Sequence, residues 1–160
     1  MSNNNNSNNI QNVTKRLQNE LMQLMMSKTQ GVSAFPQGDN ILNWSATITA
    51  PQETMYGGLT YKLSFKFSEN YPYEAPTVKF VTPCFHPNVD NSGNICLDIL
   101  KEKWSAIYNV TSVLISIQSL LNDPNIFSPL NPYAAELWKD QKKYKEILIT
   151  KYESTQKKVK

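Results

Sequence analysis

The sequence predicts one domain of the α+β class, with an N-terminal helix, an antiparallel sheet, a central helix and two C-terminal helices. Three observations predict this class. The 160 residues, 40% hydrophobic and 18% charged, suit a single globular domain with a sizeable core. Strand-like alternating segments follow one another closely in the first half, which favours an antiparallel meander. Helical apolar periodicity dominates from residue 110 onward, and no internal repeat marks a second domain.

The chain opens with an asparagine-rich stretch that contains SNNNNSNN. This tract has too little apolar surface to offset the entropy of ordering it, so residues 1–11 are predicted to be a disordered tail before a core domain of residues 12–157. From about Asn12, an amphipathic helix ending before Gly31 is predicted by apolar residues at helical spacing: Val13, Leu17, Leu21, Leu24 and Met25. The methionines Met22, Met25 and Met26 are expected to fill gaps in the core.

Three strands are predicted next, over residues 41–50, 61–67 and 77–81. The second of these alternates aromatic or aliphatic residues with lysine and serine, which indicates one buried face and one wet face. Pro72 and Pro76 lie between the second and third strands. Because proline lacks a backbone donor and has a fixed φ, this connection is expected to be a rigid loop.

Three helices are predicted in the second half. A central helix, stopped by Asp123-Pro124, is indicated by one apolar stripe: Val110, Val113, Leu114, Ile117, Leu120 and Leu121. Asn131-Pro132 caps and opens the next helix, which runs to about residue 139. The last helix is marked by apolar residues between Tyr144 and Tyr152.

Composition and charge exclude several classes of partner. A net charge of +3, with lysines concentrated at the C-terminal end, is too small to predict a nucleic-acid groove or an anionic membrane as the main partner. No apolar run approaches the ~20 residues of a membrane span. The N-terminus has no apolar signal-peptide core, so a cytoplasmic and nuclear location is expected. In that reducing environment Cys84 and Cys96 are predicted to be free thiols.

Residues 82–104 hold both cysteines and the single histidine, so the chemistry is predicted to lie there. Cys96 is the candidate nucleophile, although from residue type alone it is more often a small buried hydrophobe. A thiol protease would need a histidine base, and His86 is the only one in the chain. No surrounding pattern supports that pairing.

Metal binding is not predicted in this segment. A zinc site from Cys84, His86 and Cys96 would lack a clear fourth ligand and the usual paired CxxC spacing. Residues 90–94, DNSGN, resemble the start of a calcium loop, but Ile95 stands where such a loop needs glycine. A tight polar turn is expected instead.

Several motifs together resemble the ubiquitin-conjugating enzymes, the E2 family. They are YPYEAPTVKF, HPN at residues 86–88, GNICLDIL around Cys96, Trp104, and DPN at residues 123–125. All fall in family order between about Lys15 and Tyr152. The resemblance implies a single UBC domain with a four-stranded antiparallel meander sheet, and it implies that Cys96 carries ubiquitin as a thioester.

The resemblance also implies roles around Cys96. Asn88 would meet the negative charge that develops on the thioester oxygen, and it could also brace its loop. His86 and Pro87 would serve structure. Asp98 is the nearest acidic candidate to assist the incoming amine, with an aspartate that has no role as the alternative. Many relatives place an aspartate just before Pro129, where this chain has Ser128, so modest intrinsic reactivity toward lysine is expected.

The implied partners are ubiquitin, an activating enzyme (E1), a RING-type ligase (E3) and protein substrates. No cofactor is expected to bind, because the E1 consumes the ATP. Residues that match ligase-docking loops are Tyr73, Ser105, Ala106 and Ile107, whereas Lys15 and Arg16 match the basic face that the E1 reads. Within the family, the first helix and SPLNPYAAELW are most similar to the cell-cycle E2 that works with the anaphase-promoting complex. Two alternatives remain open: a binding module without catalysis, and an E2 for another ubiquitin-like modifier.

Overall fold

The computed structural model describes residues 3–158, so residues 1–2 of the predicted tail lie outside the described part of the chain. The elements follow in the order α1 Asn3–Met26, β1 Val32–Gln37, β2 Asn40–Thr49, β3 Thr60–Lys66, β4 Thr77–Phe80, α2 Val110–Asn122, α3 Pro132–Leu137 and α4 Gln141–Lys158. A 3₁₀ turn, Asp98–Leu100, lies between β4 and α2. None of these helices is long and apolar enough to cross a membrane.

The four strands form one antiparallel sheet in the order β1-β2-β3-β4, which confirms the predicted α+β class and meander. One row of partners crosses the whole sheet: Ala34 opposite Ala46, Ala46 opposite Leu63, and Leu63 opposite Phe80. All four side chains are buried. The opposite face of the sheet is wet and carries exposed lysines at positions 62, 66 and 79.

The helices cover the buried face of the sheet and close a single core. α2 lies at its centre and buries Val110, Val113, Leu114, Ile117 and Leu121. Asn109 caps this helix through two reciprocal hydrogen bonds. Its side chain accepts from the backbone N of Ser112 at 2.8 Å, and its own backbone N donates to the Ser112 hydroxyl at 3.3 Å. Asn131 caps α3 with a single bond, because its side-chain oxygen accepts from the backbone N of Ala134 at 3.1 Å.

The first helix begins at Asn3, not near Asn12, so residues 3–11 of the segment predicted to be disordered are helical here. Residues 7–12 are nevertheless exposed. Once the buried turn that starts at Val13 has nucleated a helix, each further residue adds one hydrogen bond without needing burial. The helix can therefore extend outward through a polar sequence that contributes nothing to the core.

The prediction that three methionines of α1 fill the core is wrong. Met22, Met25 and Met26 are 60%, 76% and 79% exposed. The buried positions of the helix recur every three or four residues, at Val13, Leu17, Glu20 and Leu24. At about 100° per residue, Met22 and Met26 fall on the opposite side of the helix. A carboxylate, Glu20, thus holds a position that the periodicity alone would have given to an apolar residue.

Candidate active site

Cys96 lies on an irregular segment that is tied to the HPN tripeptide by backbone hydrogen bonds. Val89 and Ile95 form an isolated antiparallel bridge, and the backbone N of Cys96 donates to the carbonyl of Asn88 at 2.9 Å. The residue itself is partly exposed. The sulfur-bearing residue is therefore held in place by its neighbours while it stays within reach of another molecule.

The polar turn at residues 90–94 is closed by its own hydrogen bonds. Asp90 Oδ1 accepts from the backbone N of Ser92 and of Asn94, both at 2.9 Å, and Oδ2 accepts from Asn94 Nδ2. The Asn94 hydrogen bonds hold the pKa of Asp90 below its usual value. Gly93 has φ +87°, and a Cβ there would lie 2.2 Å from the Phe80 carbonyl oxygen. The turn packs tightly against β4 and fixes the start of the Cys96 segment.

Asn88 is fully buried and clamps a second loop to this segment. Its Nδ2 donates to the Asn125 carbonyl and its Oδ1 accepts from the Asn125 backbone N, each at 2.8 Å. The carbonyl of Pro87 accepts from the backbone N of Leu130 and of Asn131. The loop of residues 123–131, called here the exit loop, is thus attached at several points. A carboxamide nitrogen carries two hydrogens, so Asn88 has a donor beyond the bond to Asn125.

His86 is fully buried with both ring nitrogens engaged. Nε2 donates to the Leu120 carbonyl at 2.7 Å, and Nδ1 accepts from the backbone N of Asn88 at 3.0 Å. Burial lowers the pKa of His86 to about 4, although the hydrogen bond to Leu120 opposes this. A neutral ring with both nitrogens occupied offers no free base to Cys96, which argues against the thiol-protease pairing.

The two cysteines are both free thiols, and both residues are partly exposed. Burial raises the pKa of the Cys84 thiol well above its usual value, and Tyr61 lies beside it. Among residues 3–158, no three His, Cys, Asp or Glu side chains gather closely enough to hold a metal ion. The described residues therefore give no support to the zinc hypothesis.

The residues matched to ligase docking lie on two linked loops. Tyr73, on the proline loop of residues 68–76, is 83% exposed, and Ile107 is 82% exposed. Ser105 and Ala106 are partly exposed beside it on a loop of residues 105–108, called here the docking loop. Trp104 Nε1 donates to the Pro72 carbonyl at 2.8 Å and so connects the two loops. The ring of Tyr73 therefore lies in solvent and does not pack within its own loop.

The remaining predicted residues are spread apart. Lys15 is exposed on α1, whereas Arg16 turns inward, with its Nε 2.8 Å from Glu20 Oε2. Of the two residues matched to the E1 face, Lys15 is therefore the exposed one, and Arg16 is engaged within the fold. Asp98 lies in the 3₁₀ turn, not at a strand end, and is exposed with its Oδ2 3.4 Å from Lys103 Nζ. Ser128 is exposed on the exit loop.

Sequence reasoning missed two features near these groups. Phe127, beside Ser128, is 94% exposed, and its backbone N donates to Asn125 Oδ1 at 3.1 Å. The sequence contained a signal for it, because an aromatic residue in a polar loop between two prolines has little core to pack against. Glu20 is the second. Its spacing of four residues from Arg16 was a local signal for a helical ion pair, but its partners Tyr71 and Val110 lie too far along the chain for any local pattern to indicate them.

Comparison with known proteins agrees with this arrangement. The family profile described as "Ubiquitin-conjugating enzyme" matches residues 16–152. The chain is 61% identical over 142 residues to "Ubiquitin-conjugating enzyme E2-20 kDa" of Schizosaccharomyces pombe, covering 88% of this chain and 81% of that protein. It is 48% identical over 128 residues to "Ubiquitin-conjugating enzyme E2 2" of Debaryomyces hansenii, covering 80% of this chain and 76% of the relative. It is 46% identical over 132 residues to the protein of the same name from Yarrowia lipolytica, covering 82% of this chain and 87% of that relative. The chain therefore belongs to the ubiquitin-conjugating enzyme family, whose members transfer ubiquitin in concert with an E1 and an E3.

Proposed function

We propose that the chain accepts ubiquitin from an E1 as a thioester on Cys96 and passes it to lysine amines of substrates bound by a RING-type ligase. The observation that carries this is the placement of Cys96. Cys96 is partly exposed, and its backbone N is hydrogen-bonded to the carbonyl of Asn88. The side chain of the same asparagine attaches the exit loop. The order of these residues in the sequence is that of the family.

The chemistry consists of two acyl transfers. In the first, the Cys96 thiolate attacks the carbonyl carbon of the thioester between ubiquitin and the E1. A new carbon–sulfur bond forms and the E1 cysteine leaves as a thiolate. In the second, a neutral lysine amine attacks the Cys96 thioester, the carbon–sulfur bond breaks, and an isopeptide bond remains after the amine loses a proton. The E1 spends the ATP, so neither step here consumes a cofactor.

Of the three polar groups considered for the second transfer, Asn88 is the one proposed to assist it directly. Negative charge develops on the thioester oxygen as the amine attacks, and the second amide hydrogen of Asn88 is a suitable donor for it. The incoming lysine must lose its proton, yet Ser128 on the exit loop offers no carboxylate. Asp98 is exposed and paired with Lys103, which supports at most an indirect influence on the amine.

Partner use follows from the exposed anchors. Tyr73 and Ile107 form the ligase contact, and Lys15 takes part in the E1 contact. We assign the chain to mitotic protein degradation with the anaphase-promoting complex, in the cytoplasm and the nucleus. What supports this finer assignment is the likeness of its first helix and of SPLNPYAAELW to the cell-cycle members of the family.

One experiment tests the proposed function at its root. The purified chain is incubated with E1, ATP and, in parallel, ubiquitin and a panel of ubiquitin-like modifiers, and the products are separated on non-reducing gels. A band that contains ubiquitin and disappears on reduction is expected. Charging by a different modifier alone, or by none, would contradict the proposal.

A further inference from the structure

Glu20 is a carboxylate in the core of α1, with 5% of the residue exposed. Its oxygens accept three hydrogen bonds: from Arg16 Nε at 2.8 Å, from the Tyr71 hydroxyl at 2.6 Å, and from the backbone N of Val110 at 2.8 Å. The last donor belongs to the first turn of α2, whose N–H groups have no partner within the helix. A buried carboxylate is costly unless it is paired and hydrogen-bonded, and these three donors meet that requirement.

Arg16 extends this contact to the docking loop. Its Nη2 lies 3.3 Å from the carbonyl oxygen of Ala106 and 2.9 Å from that of Tyr108. These two carbonyls flank Ile107, whose side chain is 82% exposed. The planar guanidinium can serve the carboxylate and the carbonyls at once because it carries five donors in a fixed arrangement. The backbone on both sides of an exposed apolar residue is thus fixed from α1.

The proline loop contacts the same pair of residues, Arg16 and Glu20. Tyr71, whose hydroxyl reaches Glu20, lies beneath the Arg16 guanidinium, 5.7 Å from its ring centroid to the guanidinium carbon. The Tyr71 ring also lies 6.1 Å from the ring of Trp104, which binds the Pro72 carbonyl. The loops that display Tyr73 and Ile107 therefore share one support, although the docking loop follows Arg16 by about ninety residues.

Stability of the fold alone does not explain why charged residues occupy this place. A buried ion pair can often be replaced by apolar residues of similar volume without loss of stability. The carbonyls of a loop without regular structure, in contrast, take many orientations unless donors fix them. A loop fixed beforehand loses less entropy when a partner binds, so it binds more tightly.

We propose that Arg16 and Glu20 are positioning residues for ligase binding. The pair holds the docking loop and the proline loop in the geometry that a ligase recognises, and it takes no part in the thioester chemistry at Cys96. Loosening the pair weakens capture of the ligase and leaves the charged enzyme otherwise competent. This role rests on the ligase docking proposed above.

The test compares the parent with Glu20→Gln, which keeps the volume but removes the charge and turns part of the acceptor into a donor. Thioester discharge to free lysine is measured without ligase and across concentrations of an isolated RING domain that stimulates the parent. The RING concentration for half-maximal stimulation should rise about tenfold. E1-dependent charging and ligase-free discharge should equal those of the parent. Amide hydrogen exchange at Ile107 and Tyr108 should become faster.

Three further variants make the outcome decisive. Tyr71→Phe deletes one hydrogen bond to Glu20 and should give a smaller shift of the same kind, even if Glu20→Gln fails to fold. Ile117→Val, a buried change on α2 away from the loops, controls for lost stability and should leave the half-maximal concentration unchanged. Ile107→Ala tests the docking loop itself and should abolish most of the stimulation.

The outcomes distinguish the proposed ligase docking at Ile107 from the proposed positioning role of Arg16 and Glu20. If Ile107→Ala keeps full stimulation, the ligase docking assigned to this loop is wrong. If Ile107→Ala loses stimulation while Glu20→Gln and Tyr71→Phe match the parent, the docking stands and the positioning role is overturned. Equal losses with and without the RING domain would also overturn it, because the pair would then act on the chemistry or on the fold as a whole.

Discussion

At the scale of single residues, the surroundings of the two cysteines differ in a way that favours Cys96 as the proposed nucleophile. Cys84 is also a partly exposed residue, but its thiol lies beside Tyr61, and desolvation raises the pKa of that thiol well above its usual value, so it stays protonated. Cys96 is partly exposed, and the backbone bond to Asn88 fixes its position. The proposed nucleophile must meet two large partners in turn, first the E1 and then an acceptor, and the fixed backbone of Cys96 suits that role.

This contrast predicts different results for the same substitution at the two positions. Cys96→Ser should trap ubiquitin as an oxygen ester that resists reducing agents, because a hydroxyl replaces the thiol at the attacked bond. Cys84→Ser should charge like the parent. Gel analysis with and without reductant measures both. Loss of charging in a Cys84→Ser protein that is folded, as judged by circular dichroism, would overturn the assignment of Cys96.

Asn88 braces the exit loop and is also the proposed donor to the oxyanion, and one variant can separate these two roles because they act at different steps. Asn88→Ala removes the donor for the developing oxyanion and should slow lysine attack by about 10²-fold, with thioester formation much less affected. Single-turnover charging and single-turnover discharge give the two rates. Because the side chain also holds the Asn125 backbone through both of its amide groups, amide hydrogen exchange at Asn125 and Phe127 in Asn88→Ala shows separately whether the exit loop has come loose. Charging slowed as much as discharge would indicate that bracing of the exit loop is the main role.

At the scale of elements, the structure explains which predictions from sequence succeeded. Alternation predicts β2, β3 and β4 to within one residue of their observed bounds. It misses β1, where small Ala34 faces the core while Phe35 faces solvent, 57% exposed, so the usual polarity of a strand is inverted. Pro36 is tolerated there because β1 is an edge strand.

The same limit applies to the candidate site. Motif order predicts Cys96, Asn88 and the loop that carries Tyr73 as site residues; the structure shows that Cys96 and Asn88 are neighbours, and their roles stay predictions. It could not show that Arg16 turns inward, because its partners are backbone carbonyls about ninety residues away. Backbone acceptors leave no signature in residue type, so only the folded chain identifies them.

The exit loop provides the prediction at this scale. Ser128 is exposed beside Pro129, on the loop that Asn88 ties to Cys96. Ser128→Asp should speed ligase-free discharge to free lysine, because a carboxylate there can orient the amine and accept its proton. The gain should be smaller once a RING domain already holds the thioester in a reactive geometry. Ser128→Asn, which has similar size but no charge, is the control, and an unchanged rate in Ser128→Asp would mean that this position does not limit amine activation.

At the scale of the whole molecule, the segment of residues 81–109, which carries Cys96, is held at both ends by regular structure. It leaves β4, which is paired in the sheet, and it returns to α2, which is buried in the core. Within this segment, His86 links the HPN tripeptide to α2, because its ring donates to the Leu120 carbonyl of α2 and accepts from the backbone N of Asn88. The protonation state of this one ring is therefore linked to the folding of the entire domain.

This linkage predicts how the stability of the domain depends on pH. His86 is the only histidine; its pKa is about 4 in the fold, against an ordinary value of about 6.5 in the unfolded chain. Between these values the unfolded state binds more protons, so stability is full above about pH 6.5 and falls as pH drops toward 4. The loss from pH 7 to pH 5 should be about 2 kcal/mol, above the range where most carboxylates titrate. Urea unfolding at several pH values measures it. His86→Gln, which keeps a donor and an acceptor but cannot be charged, should lose most of this slope, and an equal slope in both proteins would show that another group is responsible.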